Sequence, residues 1–405
     1  MISMNTFEEL QETMEEENVR FIRITFFDAF GRQRNIAIMP SELARAMNQG
    51  ISFDADAIPG LSKKGGSDLF LKPDISTFSI VPWRPVDGRV CRLFANIYYA
   101  DGTPFERDSR KLLSDAVKAA AEEGLSVSIG PEMEFYVFKK DENGEPTRIP
   151  VDHAGYMDVG PLDRGEDLRR DICFTLVDMG MTPESSHHEQ GPGQNEIDIR
   201  FSDPLAAADN CATLKWAITC LANMDGLWAD ISPKPLKGEP GSGMHVNMSV
   251  ESKDGRDVNM YFMSGILNRI RELTLFLNPT VNSFDRFGKS EAPSRVCFGN
   301  GEREALIRIP DDKGVRKRFE LRSPDACANP YLAFALLIYA GLEGVKNGEE
   351  FPYTMRDGIV YKDGQTTSDC PLLPQDMKGA KELAGSSDFV KKYVPEGFLN
   401  VYLDA

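Results

Sequence analysis

Four short segments of the chain place polar side chains at every second position, which is the spacing of one face of a β-strand. One such strand alone is equally compatible with a sheet that has a solvated face. Four together indicate a site, because clustered carboxylates repel one another unless cations lie between them. The alternating residues are Glu132, Glu134 and Tyr136 in SIGPEMEFYVF, Glu196 and Asp198 in QNEIDIRF, His245, Asn247 and Ser249 in GMHVNMSV, and Glu320 and Arg322 in RFELRSP.

Carboxylate oxygens and imidazole nitrogens are ligands that suit Mg²⁺ or Mn²⁺, and zinc is less favoured without thiolates. The segment HHEQGPGQNEID adds Glu189, and its Gly–Pro–Gly break lets Glu189 and Glu196 approach one ion. His187 and His188 are predicted to be structural, because adjacent side chains of a strand point to opposite faces. A multi-strand sheet lined in this way predicts a curved, barrel-like active site.

The sequence lacks the usual phosphate-binding loops. FGKS resembles the end of a P-loop, but Ser283 stands where that motif requires glycine, and no G-x-G-x-x-G opens a helix. Phosphate groups must then be bound by metal ions and arginines. Surface salt bridges account for most arginines, but Arg308 lies inside the apolar run ALIRIP. The candidates are Arg303, Arg308, Arg318 and Arg322.

Composition excludes several classes of partner. The formal net charge of −17 opposes binding to nucleic acid or to an anionic membrane surface. The sequence contains no run of about eighteen apolar residues, which is the length that a membrane-spanning helix needs. The N-terminal residues do not resemble a secretory signal. The seven cysteines are scattered and odd in number, which is typical of reduced thiols in the cytoplasm.

The pattern of predicted elements changes near residue 101, and a chain of 405 residues suits two domains. Residues 1–100 are predicted to hold mostly strands, including Val19–Phe27, with short helices, and Ser41 is predicted to cap one of these. From the helix Arg110–Glu123 onward, residues 101–405 alternate longer helices with strands. The predicted fold class is therefore α+β.

The same segments resemble those of the glutamine synthetase family. The matching motifs run in order from about Phe53 to Leu337, and together they are highly specific: GPEMEF, GYMDV, HHEQGPGQNEID, PKPLKGEPGSGMH, NSFDRFGKSEAP, ALIRIP and FELRSPDACANPYLA. The resemblance implies an N-terminal β-grasp domain followed by a catalytic domain with a curved, barrel-like antiparallel sheet.

The resemblance also implies a role for each matching residue. One metal ion would be held by Glu134, Glu189 and Glu196, and the second by Glu132, His245 and Glu320. The substrates would contact Tyr156, Gly241, Arg286 and Arg322, and the catalytic groups would be Asp54, Glu291 and Arg303. ATP would be bound by Phe201, Asn247, Ser249, Arg308 and Arg318.

The implied reaction joins glutamate to ammonia or a small amine through γ-glutamyl phosphate, with ATP as a substrate and two Mg²⁺ or Mn²⁺ ions in the site. Metals and arginines would neutralise the transferring phosphoryl group, and Asp54 would take the proton from ammonium. In the family this aspartate reaches the site of a neighbouring subunit. A ring-shaped homo-oligomer is therefore expected, with active sites between subunits.

Several positions depart from the family pattern and leave the acceptor amine open. Asp56 and Ala57 stand where the family has two serines near Asp54, and Pro240 replaces an asparagine that contacts the amino-acid substrate. Asn247 replaces a second histidine, and the substrate-covering flap is one residue shorter and carries Ser290 instead of an aromatic residue. The sequence also stops before most of the family's final helical segment, so weaker contacts between rings are expected.

Two other functions are compatible with parts of this pattern. A guanidino-kinase-like phosphotransferase would share the sheet architecture, but Asp54 and Tyr156 argue against it. A non-catalytic relative, acting as a binding or regulatory protein, would have little reason to keep all six predicted metal ligands.

Overall fold

The computed structural model describes residues 6–62, 65–84, 87–311 and 318–405. Its first part is a sheet in the order β2-β1-β6-β4-β3, with β5 beside β6. β1 pairs antiparallel with β2 and parallel with β6. The elements are α1 (Phe7–Glu16), β1 (Val19–Phe27), β2 (Gln33–Ile38), α2 (Leu43–Gln49), β3 (Ile51–Asp54), β4 (Asp68–Pro73), β5 (Ser79–Ile80) and β6 (Arg89–Tyr98), with 3₁₀ turns at Pro40–Glu42, Ala55–Ala57 and Ile75–Thr77.

The start of α2 differs from the prediction. Ser41 was expected to cap this helix, but it lies inside the 3₁₀ turn that Pro40 begins. The N-cap residue of α2 is Glu42, and no side chain caps the helix there. The prediction is wrong because proline favours the first position of a helical turn, so the turn starts before Ser41 can act as a cap.

The second part is built on a larger sheet in the order β18-β17-β16-β13-β14-β15-β12-β7-β10-β9, with β8 and β11 beside β7. Its strands are β7 (Leu125–Lys140), β8 (Pro146–Pro150), β9 (Pro183–His188), β10 (Gln194–Ile199), β11 (Leu227–Asp230), β12 (Met244–Ser252), β13 (Phe298–Asn300), β14 (Ile307–Ile309), β15 (Phe319–Leu321), β16 (Tyr353–Arg356), β17 (Ile359–Lys362) and β18 (Gln365–Thr366). The described pairs are antiparallel except for those of β13, which runs parallel to β14 and β16. The predicted antiparallel sheet is thus mixed at this end.

Helices cover the apolar face of the large sheet. The apolar residues that alternate along β7, such as Met133, Phe135 and Val137, are fully buried in one core with α5, α6 and α7. The helices are α3 (Ser109–Glu122), α4 (Glu166–Asp178), α5 (Pro204–Met224), α6 (Asn259–Leu277), α7 (Pro330–Asn347), α8 (Met377–Ser386), α9 (Asp388–Tyr393) and α10 (Glu396–Asp404), with a 3₁₀ turn at Val281–Asp285. Because the helices take the apolar face, the polar face of the strands is left for chemistry.

Buried polar contacts join the two sheets. The Ala29 carbonyl oxygen accepts hydrogen bonds from Asn329 Nδ2 at 3.1 Å and from the Tyr402 hydroxyl at 2.9 Å. Arg110 pairs with Asp74 at 2.8 Å and with Asp209 at 3.0 Å. Removing one partner of a buried ion pair leaves an unpaired charge, so these contacts fix how the two parts meet. Among the described residues, no helix combines the length and apolar character that crossing a bilayer requires.

Candidate active site

The order of the large sheet makes the four predicted polar strands neighbours, as β10-β7-β12-β15. Their register pairs the polar residues directly across the ladders. Glu196 lies opposite Glu134, and Glu132 lies opposite His245. Farther along the sheet, Glu320 lies opposite Asn247 on one side and Arg308 on the other. One face of the sheet therefore carries a continuous band of acidic and basic side chains.

This band lines a cavity of about 350 Å³. Apart from Asp54 and four of the residues predicted to bind ATP, the cavity gathers every predicted site residue. Asp54 is exposed and is not among the residues that line it; its Oδ1 instead accepts a hydrogen bond from Asp56 N at 3.0 Å. The predicted residues in the lining are Glu132, Glu134, Tyr156, Glu189, Glu196, Gly241, His245, Arg286, Glu291, Arg303, Arg308, Glu320 and Arg322.

One group of possible metal ligands lies at the β9–β10 side of the cavity. Ligand atoms of His187, Glu189 and Glu196 lie within 4.8 Å of one another. Burial, together with neighbouring carboxylates, of which Glu134 contributes most, raises the pKa of Glu196 well above its usual value. A buried carboxylate surrounded by like charges is stabilised by a bound cation, so this group fits a divalent metal.

Glu134 is held in place beside that group. Its Oε2 accepts hydrogen bonds from Gly243 N at 2.9 Å and from Gln194 Nε2 at 3.2 Å. Its Oε1 lies 3.7 Å from His245 Nε2. Glu134 thus lies between the two groups of possible ligands.

The second group consists of Glu132, His245 and Glu320, whose ligand atoms also lie within 4.8 Å of one another. Glu320 accepts hydrogen bonds from Arg308 at 2.8 Å and from Arg322. Burial raises the pKa of Glu320, but Arg322, His245 and Arg308 outweigh it and lower the pKa to about 2. Glu320 therefore stays ionised, and each of its oxygens keeps a free lone pair for a metal.

Glycine at position 241 is required by close packing. A Cβ atom there would lie 2.4 Å from Arg286 Cγ and 2.7 Å from the Pro233 carbonyl oxygen. Arg286 is buried and donates to the Ser323 carbonyl oxygen at 3.0 Å. The absence of a side chain at Gly241 thus lets the Arg286 side chain reach the cavity.

A loop at Ser290 and Glu291 lines part of the cavity. Both residues have positive φ, 46° and 65°, a conformation that costs energy for residues other than glycine. The Glu291 carboxylate lies 4.0 Å from Arg322 Nη2, and Arg322 Nε donates to the Arg303 carbonyl oxygen at 2.8 Å. The loop is therefore placed beside two of the arginines of the cavity.

A second cleft, of about 680 Å³, lies farther along the same strands. Ser249 follows His245 on β12, and Arg318 precedes Glu320 of β15. The guanidinium of Arg318 lies 6.0 Å from the ring centroid of Phe201. Asn247 lies between the two clefts on β12 and donates to Glu132 Oε1 at 2.6 Å. Three residues predicted to bind ATP thus line a cleft next to the acidic cavity.

Sequence reasoning missed two residues of the site and gave a third, Asp198, no role. His187, predicted to be structural, lines the cavity, where its Nε2 lies 3.0 Å from Glu189 Oε1. Gln194 positions Glu134, as described above. Asp198, which the sequence alternation placed on the polar face of β10, has a ligand atom within 4.8 Å of those of Glu132 and Glu196. His188, in contrast, is fully buried and lies 3.0 Å from Asp152 Oδ1.

Residues 18–100 match the family model described as "Glutamine synthetase, beta-Grasp domain", and residues 106–405 match "Glutamine synthetase, catalytic domain". The chain belongs to the glutamine synthetase family and is an ATP-dependent ligase that forms carbon–nitrogen bonds. The predicted fold is confirmed: a β-grasp domain precedes a catalytic domain whose large sheet curls into a half-barrel. The family uses ATP and divalent metal ions.

The individual relatives extend over the whole chain. Glutamine synthetase of Methanosarcina mazei is 41% identical over 421 residues, covering 100% of this chain and 94% of the relative. That of Clostridium saccharobutylicum is 40% identical, covering 96% and 91%. Among solved structures, GmaS in complex with ADP matches with a TM-score of 0.85 and 25% identity, covering 98% and 94%. Plasmodium falciparum glutamine synthetase shares the fold, with a TM-score of 0.89 and 22% identity, covering 100% and 95%.

Proposed function

We propose that this ligase joins glutamate to ammonia or a small amine through γ-glutamyl phosphate. The observation that carries the proposal is the composition of the acidic cavity. It contains the six carboxylate and imidazole groups predicted to bind metal, together with four arginines. The four arginines, with the cations that the carboxylates would bind, supply the positive charge that a reaction between two anions, glutamate and ATP, needs in a protein of net charge −17.

Two divalent ions, Mg²⁺ or Mn²⁺, fit the two ligand groups. Glu134, Glu189 and Glu196 would hold one ion, with His187 beside them, and Glu132, His245 and Glu320 would hold the other. When bound, the ions supply Lewis-acid stabilisation of charge on the transferring phosphoryl group. The adjacent cleft at Phe201, Ser249 and Arg318 suits the adenosine part of ATP, with Asn247 and Arg308 nearer to its phosphates.

The remaining groups orient the amino acid and protect the intermediate. Arg286 and Arg322 suit the carboxylates of glutamate, since guanidinium groups bind carboxylates through paired hydrogen bonds, and Gly241 suits its amino group. Arg303 suits the transferred phosphate. Glu291, on the strained loop, would close over the cavity and exclude the water that hydrolyses an acyl phosphate.

The amine needs a base, because an ammonium ion has no lone pair for attack. Asp54 is proposed for this role with Tyr156, which lines the cavity at 45% exposure. Because Asp54 lies outside the cavity of its own chain, it would act in the cavity of a neighbouring subunit of a ring-shaped homo-oligomer. Both the ring and a cytoplasmic location stay predictions.

The identity of the acceptor depends on which amine the pocket around Asp54 and Tyr156 prefers. Ammonium offers four N–H donors that need oxygen partners, whereas an alkylamine offers fewer and adds an apolar group. Ala57 would supply an apolar wall, and one methylene in such a pocket changes preference by about ten- to two-hundredfold. Asp56 acts in the opposite direction, because an added carboxylate could hold ammonium or a diamine.

The test supplies glutamate, ATP and Mg²⁺ with ammonium, methylamine, ethylamine or a short diamine in parallel, and the products are identified by mass spectrometry. The proposal predicts stoichiometric ADP, phosphate and a γ-glutamyl amide with at least one amine. ATP turnover that yields a phosphorylated product and no amide with any amine would contradict it. If kcat/KM for ammonium exceeds the values for methylamine, ethylamine and the diamine by about a hundredfold or more, the reaction is ordinary glutamine synthesis.

A further inference from the structure

Two cysteines lie together outside the active-site cavity. Cys297 and Cys370 are both buried, with 0% and 7% of their surface exposed, in a small core with Ala305, Met355 and Val360. The interaction between the two neighbouring thiols lowers the pKa of Cys370 and, together with burial, raises that of Cys297. Because the thiolate is the reactive form of cysteine, Cys370 is the more reactive member of this pair.

The backbone brings the two cysteines to opposite positions of a short ladder. Arg295 and Leu372 form an antiparallel bridge, flanked by a hydrogen bond from Val296 N to the Pro371 carbonyl oxygen at 2.8 Å. The same register sets the next non-hydrogen-bonded position at Cys297 and Cys370. In a regular ladder the Cα atoms of such a pair are about 4.5 Å apart, within the range that a disulfide spans.

The sulfur positions agree with this register. The chain bends at Val296, where Cys297 N donates to the Arg295 carbonyl oxygen at 3.1 Å. Cys370 Sγ nevertheless lies 3.3 Å from the Val296 carbonyl oxygen, and Cys297 Sγ lies 3.8 Å from that of Arg295. Both thiols thus contact neighbouring peptide groups of the same short segment.

This ladder anchors the loop that carries Glu291. The loop is closed by a hydrogen bond from Gly288 N to the Ala292 carbonyl oxygen at 2.9 Å, and the chain then enters the ladder, where Leu373 N donates to the Ser294 carbonyl oxygen at 2.9 Å. A covalent bond at Cys297 would therefore restrain the segment that directly follows the loop.

We propose that Cys297 and Cys370 form a reversible disulfide that restrains the Glu291 loop and slows turnover under oxidising conditions. The oxidant would be a small peroxide, since both thiols are buried, and a dithiol would reverse the reaction. Formation of the disulfide does not depend on which amine the enzyme uses.

The chemistry balances with hydrogen peroxide. The Cys370 thiolate attacks one oxygen, the O–O bond breaks, and the leaving hydroxide takes a proton to become water, which leaves Cys370 as a sulfenic acid. The Cys297 sulfur then attacks the sulfenic sulfur, the S–O bond breaks, and a second water leaves with the Cys297 proton. Two thiols are oxidised to one disulfide, and one peroxide is reduced to two waters.

The test treats the full-length protein with hydrogen peroxide, blocks the remaining thiols by alkylation, and maps peptides without reductant. We expect a Cys297–Cys370 cross-link that dithiothreitol removes. We also expect slower tryptic cleavage after the exposed Lys289 of the loop, and a fall in turnover of roughly threefold or more that dithiothreitol restores, because loop motion limits turnover in many enzymes.

In Cys297→Ser and in Cys370→Ser, peroxide should change neither turnover nor tryptic cleavage after Lys289. Cys220→Ser, which alters a half-buried cysteine of α5, should respond to peroxide like the unaltered protein. Peptide mapping of the unaltered protein needs no variant, so a misfolded variant does not affect the result. Alkylation of both cysteines after peroxide treatment would overturn the proposal. So would a complete cross-link that leaves turnover and cleavage after Lys289 unchanged.

Discussion

Glu196 lies directly opposite Glu134 across the antiparallel ladder of β10 and β7, and both carboxylates line the same cavity. Like charges placed opposite each other destabilise a sheet. Burial and these neighbours raise the pKa of Glu196 well above its usual value. Repulsion between the two carboxylates destabilises the protein without bound metal, and a cation between them would remove that repulsion. The first prediction rests on this cation.

Replacing Glu134 by glutamine should abolish most of the activity without unfolding the protein. Glutamine keeps the shape and removes one negative charge from the proposed metal site. We expect ADP release to fall by about a hundredfold or more, the scale of the several kcal/mol that a metal ion contributes to such a reaction. Thermal unfolding should stay near that of the unaltered protein.

Glu142→Gln, at an exposed position, is the matched control and should retain full ADP release. Normal turnover in Glu134→Gln, or normal turnover of the unaltered protein in excess chelator, would contradict the assignment of two metal ions.

Replacing Gly241 by alanine should weaken the binding of glutamate. The added methyl group would lie 2.4 Å from Arg286 Cγ, so the Arg286 side chain must move from the cavity. We expect kcat/KM for glutamate to fall by about tenfold or more, because a small displacement of a positioning group is costly in catalysis. Gly385→Ala serves as the control, since its new methyl group would make only ordinary contacts with Leu403, at 3.5 Å. Unchanged kinetics in Gly241→Ala would show that Arg286 does not position the substrate.

Mixing two inactive variants should restore activity if Asp54 serves a neighbouring subunit. Asp54→Asn would lack the proposed base, and Glu134→Gln would lack a metal ligand. When the two are dissociated, mixed and reassembled, some sites combine an intact Asp54 from one subunit with an intact Glu134 from another. We expect activity well above that of either variant alone. No recovery, or a catalytically active monomer by light scattering, would place Asp54 in its own subunit's site.

The buried pair of Asp152 and His188 should make stability depend on pH. Burial raises the pKa of Asp152, but hydrogen bonds from His188 and from backbone N–H groups outweigh it and lower the pKa to about 2. Asp152 then contributes about 2 kcal/mol of stability that is present above pH ~4 and is lost as pH falls through its folded pKa. Burial lowers the pKa of His188, but Asp152 and the Glu189 carbonyl oxygen raise it overall. Its contribution is therefore complete below pH ~6.5 and is lost as pH rises through the raised value.

Asp152→Asn should therefore lower the urea midpoint most between pH 4 and 6.5, and by less at higher pH. Asp178→Asn, an exposed substitution, should change it little at any pH. An equal loss at all pH values in Asp152→Asn would show that packing, not the ion pair, carries the effect.

Much of the site could be predicted because polar and apolar residues alternate along a strand, and this alternation assigns each residue to one of its two faces. The alternation around Glu132 and Glu134 placed the acidic residues on one face, and the structure shows Met133 and Phe135 buried on the other. The sequence could not order the strands, because the pairing of β7 with β10 and β12 joins distant segments. That His187 lines the cavity likewise follows from the pairing of β9 with β10, where His187 lies opposite Glu196.

Other features depended on contacts that no local pattern records. Cys297 and Cys370 meet only because the segment after the Glu291 loop bridges to the segment before α8. The parallel pairs of β13 arise from similarly distant segments. The domain boundary near residue 101 stays a prediction, although β6 ends at Tyr98 and α3 begins at Ser109.

The central claim is that the γ-carboxylate of glutamate is activated by phosphorylation before the amine attacks. In that reaction one carboxylate oxygen attacks the γ-phosphorus of ATP, and it leaves with the phosphate when the amine displaces it. With glutamate labelled by ¹⁸O in its γ-carboxylate, ATP and the preferred amine, we predict one ¹⁸O atom in each phosphate released, measured by mass spectrometry. Amide formed together with unlabelled phosphate would contradict the account.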